Sequence, residues 1–305
     1  MLFNLSPIFA LVPLLIYIIL SFKDFNPILN VIICVILSGI LTKQKFSDFG
    51  SIISKSLGSF LGTIGFIIML GSGLGAILQK TGVAEYLVMS LVKKIGVDSE
   101  RKAIIATMVS SMVLVSLLGT LAGANAIIAP IIIPLVAAIG ITPSTVAVIF
   151  MGAGLTGMFI GPYTPQVVTI MGLTGLSYGN YMMAAGIPLA VLVLVITYIM
   201  SNKIQKKTLG MYAYENIEEY EDNYVASNQV KKAALAFGLS MAALIGYGVY
   251  LQSGSSYAIL VITLSAAITG FAGKLNPNDL VDTFIKGASR MMWLFVMFIL
   301  FNPFI

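Results

Sequence analysis

The chain has 305 residues, of which 58% are hydrophobic and only 10% are charged, and its formal net charge is +5. A soluble domain carries about a quarter of its residues as charges, so this composition excludes a soluble globular protein. The sequence contains no histidine and only one cysteine, Cys34, which excludes Ser-His catalysis, His-ligated metal sites and an internal disulfide. We therefore expect no catalytic residues and no enzymatic activity.

Unbroken apolar runs separate short basic clusters along the whole chain. Such runs predict membrane-spanning helices rather than the alternating strands of a barrel, and the clusters predict membrane-flanking anchors rather than a nucleic-acid surface. The sequence thus predicts an all-α, multi-pass protein of the inner membrane with the lipid bilayer as its solvent. The runs, in chain order, are 6–22, 27–42, 57–78, 83–92, 103–122, 125–139, 145–160, 166–176, 181–200, 233–252, 257–270 and 291–305.

An internal repeat is predicted from a constant offset between the two ends of the chain. Placing Lys55 on Lys286 also brings Asp48 onto Asp279. We therefore expect a first membrane repeat unit over 1–200, a soluble charged linker over 201–232, and the start of a second unit over 233–305. The second unit stops within its third helix, so the sequence predicts a C-terminally incomplete repeat with broken or re-entrant helices.

The first candidate binding position lies in a glycine-rich apolar run. Gly71 and Gly73 flank Ser72, and glycines inside a helix weaken it, so a helix break exposing Ser72 is one interpretation. Close packing of two helices through small residues is the alternative. All carboxylates fall in loops or at membrane edges, so an ion site in this chain must use neutral oxygens of this kind.

The second candidate position surrounds an amide in an apolar stretch. Asn125 follows Thr120 and Gly123 and precedes two prolines, a pattern typical of a hairpin tip at membrane depth. We expect Gly123 to break the helix, and Thr120 and Asn125 to bind an ion or a substrate. The alternative is a buried asparagine that hydrogen-bonds between two helices.

The third candidate position is a proline-rich interruption. Gly161, Pro162 and Pro165 are expected to end one helix and begin the next, which would free backbone carbonyls. Thr164 and Gln166 would then offer a hydroxyl and an amide to a substrate or ion. A plain external turn is the alternative interpretation.

Two of these patterns resemble a known family. The run 71–75 with 79–84, and the run 120–126 with its following prolines, resemble the NhaC-type sodium–proton antiporter group of the ion-transporter superfamily, closest to its predicted amino-acid permease branch. The resemblance implies inverted repeats, re-entrant hairpins and Na⁺ bound near a hairpin tip, here at Thr120 and Asn125. It also implies Na⁺ or H⁺ as the coupling ion, and no other cofactor is expected.

The function expected from the sequence is secondary active transport by alternating access. The substrate would be a small molecule or a cation, moved in the manner of a sodium–proton antiporter. A sodium- or proton-coupled amino-acid permease is the alternative, and an ion channel is less favoured because the polar residues are isolated rather than continuous. A homodimer is a further expectation, and no nucleic-acid partner is expected.

Overall fold

The computed structural model describes residues 11–23, 25–211, 214 and 224–301. Within these ranges all regular structure is helical, which confirms the expected all-α fold. In this described part of the chain, a 3₁₀ turn at Phe46–Asp48 and a π turn at Met182–Gly186 accompany fifteen α-helices. They are α1 Val12–Ser21, α2 Pro27–Leu41, α3 Phe49–Leu57, α4 Phe60–Lys80, α5 Val83–Ile95, α6 Glu100–Leu118, α7 Leu121–Ala137, α8 Pro143–Ile160, α9 Pro165–Thr174, α10 Tyr178–Tyr181, α11 Ile187–Thr208, α12 Asn228–Tyr250, α13 Tyr257–Ala272, α14 Pro277–Ser289 and α15 Met292–Phe301.

Several of these helices are long and apolar enough to cross a bilayer. By length and composition, five such spans occur in the described part of the chain, and the interrupted pair α14–α15 raises the number to six. The spans include α8 with α9 as one 32-residue stretch and α10 with α11 as one 31-residue stretch. In the stretch formed by α10 and α11, only 17% of the most apolar segment is buried, so most of that surface is exposed on the described part of the chain.

Local sequence fixes where individual helices begin. Asn26 caps α2 by accepting a hydrogen bond from the backbone N–H of Ile28, and Pro27 occupies the first helical position. Thr142 and Pro143 start α8 in the same way. Ser227 caps α12 through the N–H of Val230. These caps account for helix starts that hydrophobicity alone places only approximately.

The chain divides into two compact units, and the first comprises Met1–Met69 with Ser289–Ile305. In its described part α1, α2, α3, the first half of α4 and α15 are present. Phe66 packs on Phe295 with ring centroids 6.1 Å apart. A Cβ atom at Gly65 would lie 3.0 Å from the Cα atom of Phe295, so the glycine allows α4 and α15 to approach closely.

The second unit, Leu70–Ala288, contains the remainder of α4 and the helices α5 to α14. Contacts between α6 and α8 advance in the same direction along both helices, because Gly154 lies beside Ser111 and Gly161 lies beside Ser116. These two helices are therefore parallel. Helix α11 runs antiparallel to α8, because Gly152 contacts Thr197 whereas Thr145, one end of α8, bonds to Gln205.

The helix break expected at Gly71 and Gly73 is wrong. Helix α4 runs without interruption from Phe60 to Lys80. A Cβ atom at Gly73 would lie 2.9 Å from the carbonyl oxygen of Phe284, and one at Gly287 would lie 2.5 Å from the Cβ atom of Ala76. Gly73 and Gly287 therefore serve close packing of α4 against α14, which is the alternative that the sequence left open, whereas Gly71 lies nearest the carbonyl oxygen of Leu118 in α6.

Helix boundaries recur at the offset of the predicted repeat. Lys55 and Lys286 are 231 positions apart, and shifting the bounds of α2 and α3 by that amount gives 258–272 and 280–288. The observed helices α13 and α14 are Tyr257–Ala272 and Pro277–Ser289. This agreement supports the repeat. The division into 1–200, 201–232 and 233–305 stays a prediction, and the compact units follow different boundaries.

Helices enter both ends of the predicted polar linker. Helix α11 extends to Thr208 and α12 begins at Asn228, so both helices enter the range 201–232. The Lys side chains in both extensions are exposed, and lysine favours helix, which explains the extension. Most of the acidic, tyrosine-rich part of the linker lies outside the described residues.

Candidate functional site

A first helix break separates α6 from α7. Gly119 follows α6 with a left-handed backbone (φ 70°), and Thr120 then adopts an extended conformation before α7. The side chain of Thr120 makes no capping hydrogen bond, so the first N–H groups of α7 have no side-chain partner there. The break expected at Gly123 is wrong, because Gly123 lies inside α7. The positive φ at Gly119, which only glycine adopts easily, places the break four residues earlier.

A second break separates α8 from α9. The chain is interrupted from Gly161 to Thr164, and Pro165 occupies the first position of α9. The buried hydroxyl of Thr164 lies 2.6 Å from the carbonyl oxygen of Met158 and 2.8 Å from that of Gly161. Thr164 thus donates to the end of α8. No side chain caps the N-terminus of α9.

The two breaks lie against each other. A Cβ atom at Gly119 would be 3.4 Å from the carbonyl oxygen of Tyr163 and 4.0 Å from the Cα atom of Thr164. A Cβ atom at Gly161 would be 2.5 Å from the carbonyl oxygen of Ser116, one turn before the first break. The uncapped N-termini of α7 and α9 are therefore neighbours.

The α6–α7 pair is a hairpin whose tip lies beside the second break. The loop after α7 returns to the starting end of α8, where the side-chain amide of Gln205 donates to the carbonyl of Gly140. Helix α9 continues the α8 span for ten residues beyond the break, or about 15 Å. The hairpin tip therefore stops inside the candidate span formed by α8 and α9, away from both of its ends.

The surroundings of the two breaks carry no formal charge. Residues 103–202 contain no Asp, Glu, Lys, Arg or His. The fixed partial charges of helix ends therefore dominate the local field, and a helix N-terminus carries about half a positive charge. The adjoining N-termini favour an anionic group beside the first turns of α7 and α9, whereas the C-termini of α6 and α8, which end at the same breaks, carry the opposite partial charge.

Two polar atoms next to the second break are buried without a partner. They are the side-chain oxygen of Gln166 and the hydroxyl of Tyr163, whose residue is 5% exposed. The ring of Tyr163 also lines a cavity of about 30 Å³ together with Tyr178 and Tyr257. Buried polar groups are nearly always hydrogen-bonded, so orphaned atoms of this kind mark places that a ligand or water completes.

Asn125 and Ser72 are held by the protein itself. The side-chain oxygen of Asn125 accepts from Ser111 at 3.0 Å, and its amide nitrogen donates to the carbonyl of Phe150 at 3.2 Å. This is the interhelical bridge that the sequence left as an alternative. Ser72 donates to the carbonyl of Gly287 at 2.8 Å and so faces α14 rather than the breaks. Of the predicted binding residues, Thr120, Thr164 and Gln166 lie at the two breaks.

Three features of this region were not predicted from the sequence. Gly119, the residue that joins the two breaks, was passed over because one glycine in a run of small residues gives no indication of its φ. Ser111 donates to Asn125 from another helix, and a single serine in an apolar helix gives no indication of that partner. A buried network also links Gln205 to Thr142 and Thr145 through hydrogen bonds of 2.9 Å. The sequence does not indicate these bonds, because the partners are 63 and 60 positions apart.

Comparison with known proteins gives the family. The family model described as "GntP family permease" matches residues 3–284, nearly the whole chain. The chain belongs to the GntP permease family. A GntP-family chain is an integral, multi-pass membrane protein, and members of this family are transporters rather than enzymes, as expected from the composition.

The chain is also similar to an uncharacterized permease of Haemophilus influenzae (strain ATCC 51907 / DSM 11121 / KW20 / Rd). The two are 28% identical over 195 residues, which make up 62% of this chain and 38% of that protein. The chain thus spans less than half the length of the curated relative that it matches.

The predicted membership of the NhaC-type antiporter group, with its amino-acid permease branch, is wrong, because the family match assigns the chain to a different family. The patterns that carried it are runs of small residues. Such runs recur wherever membrane helices pack closely, as α4 does here, and so they do not distinguish one transporter family from another.

Proposed function

We propose that the chain forms part of a secondary transporter for a small hydroxylated carboxylate of the gluconate type. The substrate carboxylate would bind where the N-termini of α7 and α9 adjoin. The observation that carries the proposal is the contact of Gly119 with Tyr163 and Thr164, which brings two uncapped helix starts together in an uncharged region. The GntP family match also points to transport of this type.

An anionic substrate fits the electrostatics of this region. Each helix N-terminus stabilises a negative charge by about 0.3–1 kcal/mol at exposed positions and up to about 2 kcal/mol when partly buried. Residues 103–202 contain no carboxylate that would repel the substrate. They also contain no Lys or Arg, so the helix starts would supply the positive partial charge for the carboxylate.

The orphaned oxygen of Gln166 supports hydroxyl recognition. A carboxamide oxygen accepts hydrogen bonds only, and this one is buried at the start of α9 without a donor. A substrate hydroxyl would supply the missing donor while the carboxylate occupies the helix starts. Gln166 would then make the site bind a hydroxy acid more tightly than a simple fatty acid of similar length.

Coupling to an ion gradient belongs to the same proposal. Residues 103–202 hold no Asp, Glu or His that could carry a coupling proton. A proton would therefore travel on the substrate carboxylate or bind elsewhere in the complete protein. Alternating access would arise from tilting of the α6–α7 hairpin against the α8–α9 span, since both have interrupted backbones at the contact.

Equilibrium binding to the purified chain in lipid nanodiscs tests the proposal. Labelled gluconate should bind, unlabelled gluconate should displace it, and gluconamide should not, because gluconamide keeps the hydroxyls but lacks the charge. Hexanoate, which keeps the charge but lacks the hydroxyls, should compete weakly. Equal competition by gluconamide would overturn the carboxylate site, and absence of gluconate binding to folded protein would overturn the substrate class.

A further inference from the structure

An apolar groove runs along the surface between α6 and α11. Its volume is about 380 Å³. It opens outward, since Ile105 is 40% exposed and Val195 is 52% exposed. Methionine side chains are flexible and adapt to irregular ligands, and two of them line the α6 wall. The principal lining residues are Ile105, Met108, Val109, Met112, Leu194 and Tyr198.

One end of the groove is basic. Arg101 and Lys102 are one turn before Ile105 on the same face of α6, and Lys206 is two turns after Tyr198 on α11. The start of α6 and the end of α11 lie at the same end of the groove. This follows because α6 is parallel to α8, and the start of α8 bonds to Gln205, next to Lys206. All three basic side chains are exposed.

Among the residues that the structure describes, the charge at this end remains positive after the acidic residues are counted. Asp98 and Glu100 lie at the start of α6, and the carboxylate of Asp98 pairs with Lys102 at 2.8 Å. Lys203 and Lys207 add to Lys206 at the end of α11. Basic clusters mark the cytoplasmic side of a membrane protein, where the leaflet is rich in anionic lipid.

We propose that the α6–α11 groove binds one anionic phospholipid. One acyl chain lies along the apolar lining between Met112 and Ile105, and the phosphate lies against Arg101 and Lys206. The groove offers an acyl chain its preferred surroundings, and the basic end offers the phosphate a complementary charge in the membrane plane where lipid headgroups lie. This site is separate from the two helix breaks and does not depend on the substrate.

Retained lipid identifies this site experimentally. The chain is placed in nanodiscs of mixed phosphatidylglycerol and phosphatidylcholine, extracted into mild detergent, and the bound lipid is measured by native mass spectrometry. We expect phosphatidylglycerol to be retained in preference to phosphatidylcholine. The double substitution R101Q/K206Q should weaken retention about fivefold for each charge removed. The matched control K231Q/K232Q removes the same charge from the start of α12, outside the groove, and should have no effect.

Filling the groove gives an independent measurement. Val109→Trp should reduce retention of both lipids, whereas Leu192→Trp, at a 56% exposed position of α11 outside the lining, should not. Equal retention of the two lipids by the unsubstituted chain would overturn the proposal. So would equal losses in R101Q/K206Q and K231Q/K232Q. Size-exclusion profiles confirm folding, and the charge variants test the site even where a tryptophan disturbs packing.

Discussion

A Cβ atom built on Gly119 would lie 3.4 Å from the carbonyl oxygen of Tyr163, which places the turn between α6 and α7 directly against the turn between α8 and α9. Gly119 has φ 70° and ψ 7°, a conformation that other L-residues adopt at a cost of about 1–2 kcal/mol. This one position therefore combines a backbone requirement with a close approach between two interrupted helices.

Substitution of Gly119 should damage the proposed binding site beyond its effect on stability. Gly119→Ala should lower stability by about 1–2 kcal/mol because of its positive φ, and it should also weaken gluconate binding, because the new methyl group occupies the space between the two turns, in contact with Tyr163. Gly175→Ala is the matched control, since Gly175 has φ 71° and ψ 7° but no atom within 4 Å of its Cβ position. Thermal unfolding and equilibrium binding measure both effects. Equal loss of binding in the two variants would contradict the role of the contact.

Removal of the Gln166 acceptor should change specificity. Gln166→Leu should weaken gluconate binding by about 1–3 kcal/mol, the usual cost of losing a buried hydrogen bond, while hexanoate affinity stays the same. Thr169→Val serves as the control one turn later on α9, where the hydroxyl donates to the carbonyl of Pro165 and has no proposed ligand role. Competition curves for both ligands give the answer, and a parallel loss for gluconate and hexanoate would rule out hydroxyl recognition by Gln166.

The bridge between Ser111 and Asn125 should be a coupled structural pair. Asn125→Ala leaves the fully buried hydroxyl of Ser111 without its acceptor and should cost about 1–3 kcal/mol of stability. In a double-mutant cycle with Ser111→Ala the effects should be non-additive by about 0.5–3 kcal/mol. Thermal unfolding in detergent measures the four proteins of the cycle. Additive effects would show that the two side chains act independently.

The buried amide at the end of α11 should be important for stability. Gln205 accepts from Thr142 and Thr145 and donates to Gly140, so Gln205→Leu leaves several buried groups unpaired. We expect a loss of about 2–3 kcal/mol. Gln79→Leu, at an exposed position near the end of α4, should stay within about 0.5 kcal/mol of the unsubstituted chain. Indistinguishable unfolding midpoints for the two variants would contradict the network's role.

Composition predicted the class of molecule correctly, because a bilayer imposes one overriding requirement. Backbone groups in lipid must be paired internally, so long apolar runs such as 181–200 can only be helices. Family membership did not follow from the residues in the same way. The glycines of α4 matched a pattern shared by many membrane proteins, and only comparison over residues 3–284 assigned the chain to the GntP permease family.

Proline-rich sequence also predicted the interruption near Pro162 and Pro165, because proline cannot donate the hydrogen bond that continues a helix. The sequence by itself thus determined the all-α membrane fold and the placement of this break. Tertiary structure decided which small residues bend the chain and which pack. Gly73 remains in a helix with α14 packed against it, and Gly71 remains in the same helix, whereas Gly119 turns the chain because its positive φ ends α6 beside Tyr163. Glycine permits both outcomes equally, so the contact partner, which is distant in sequence, makes the difference.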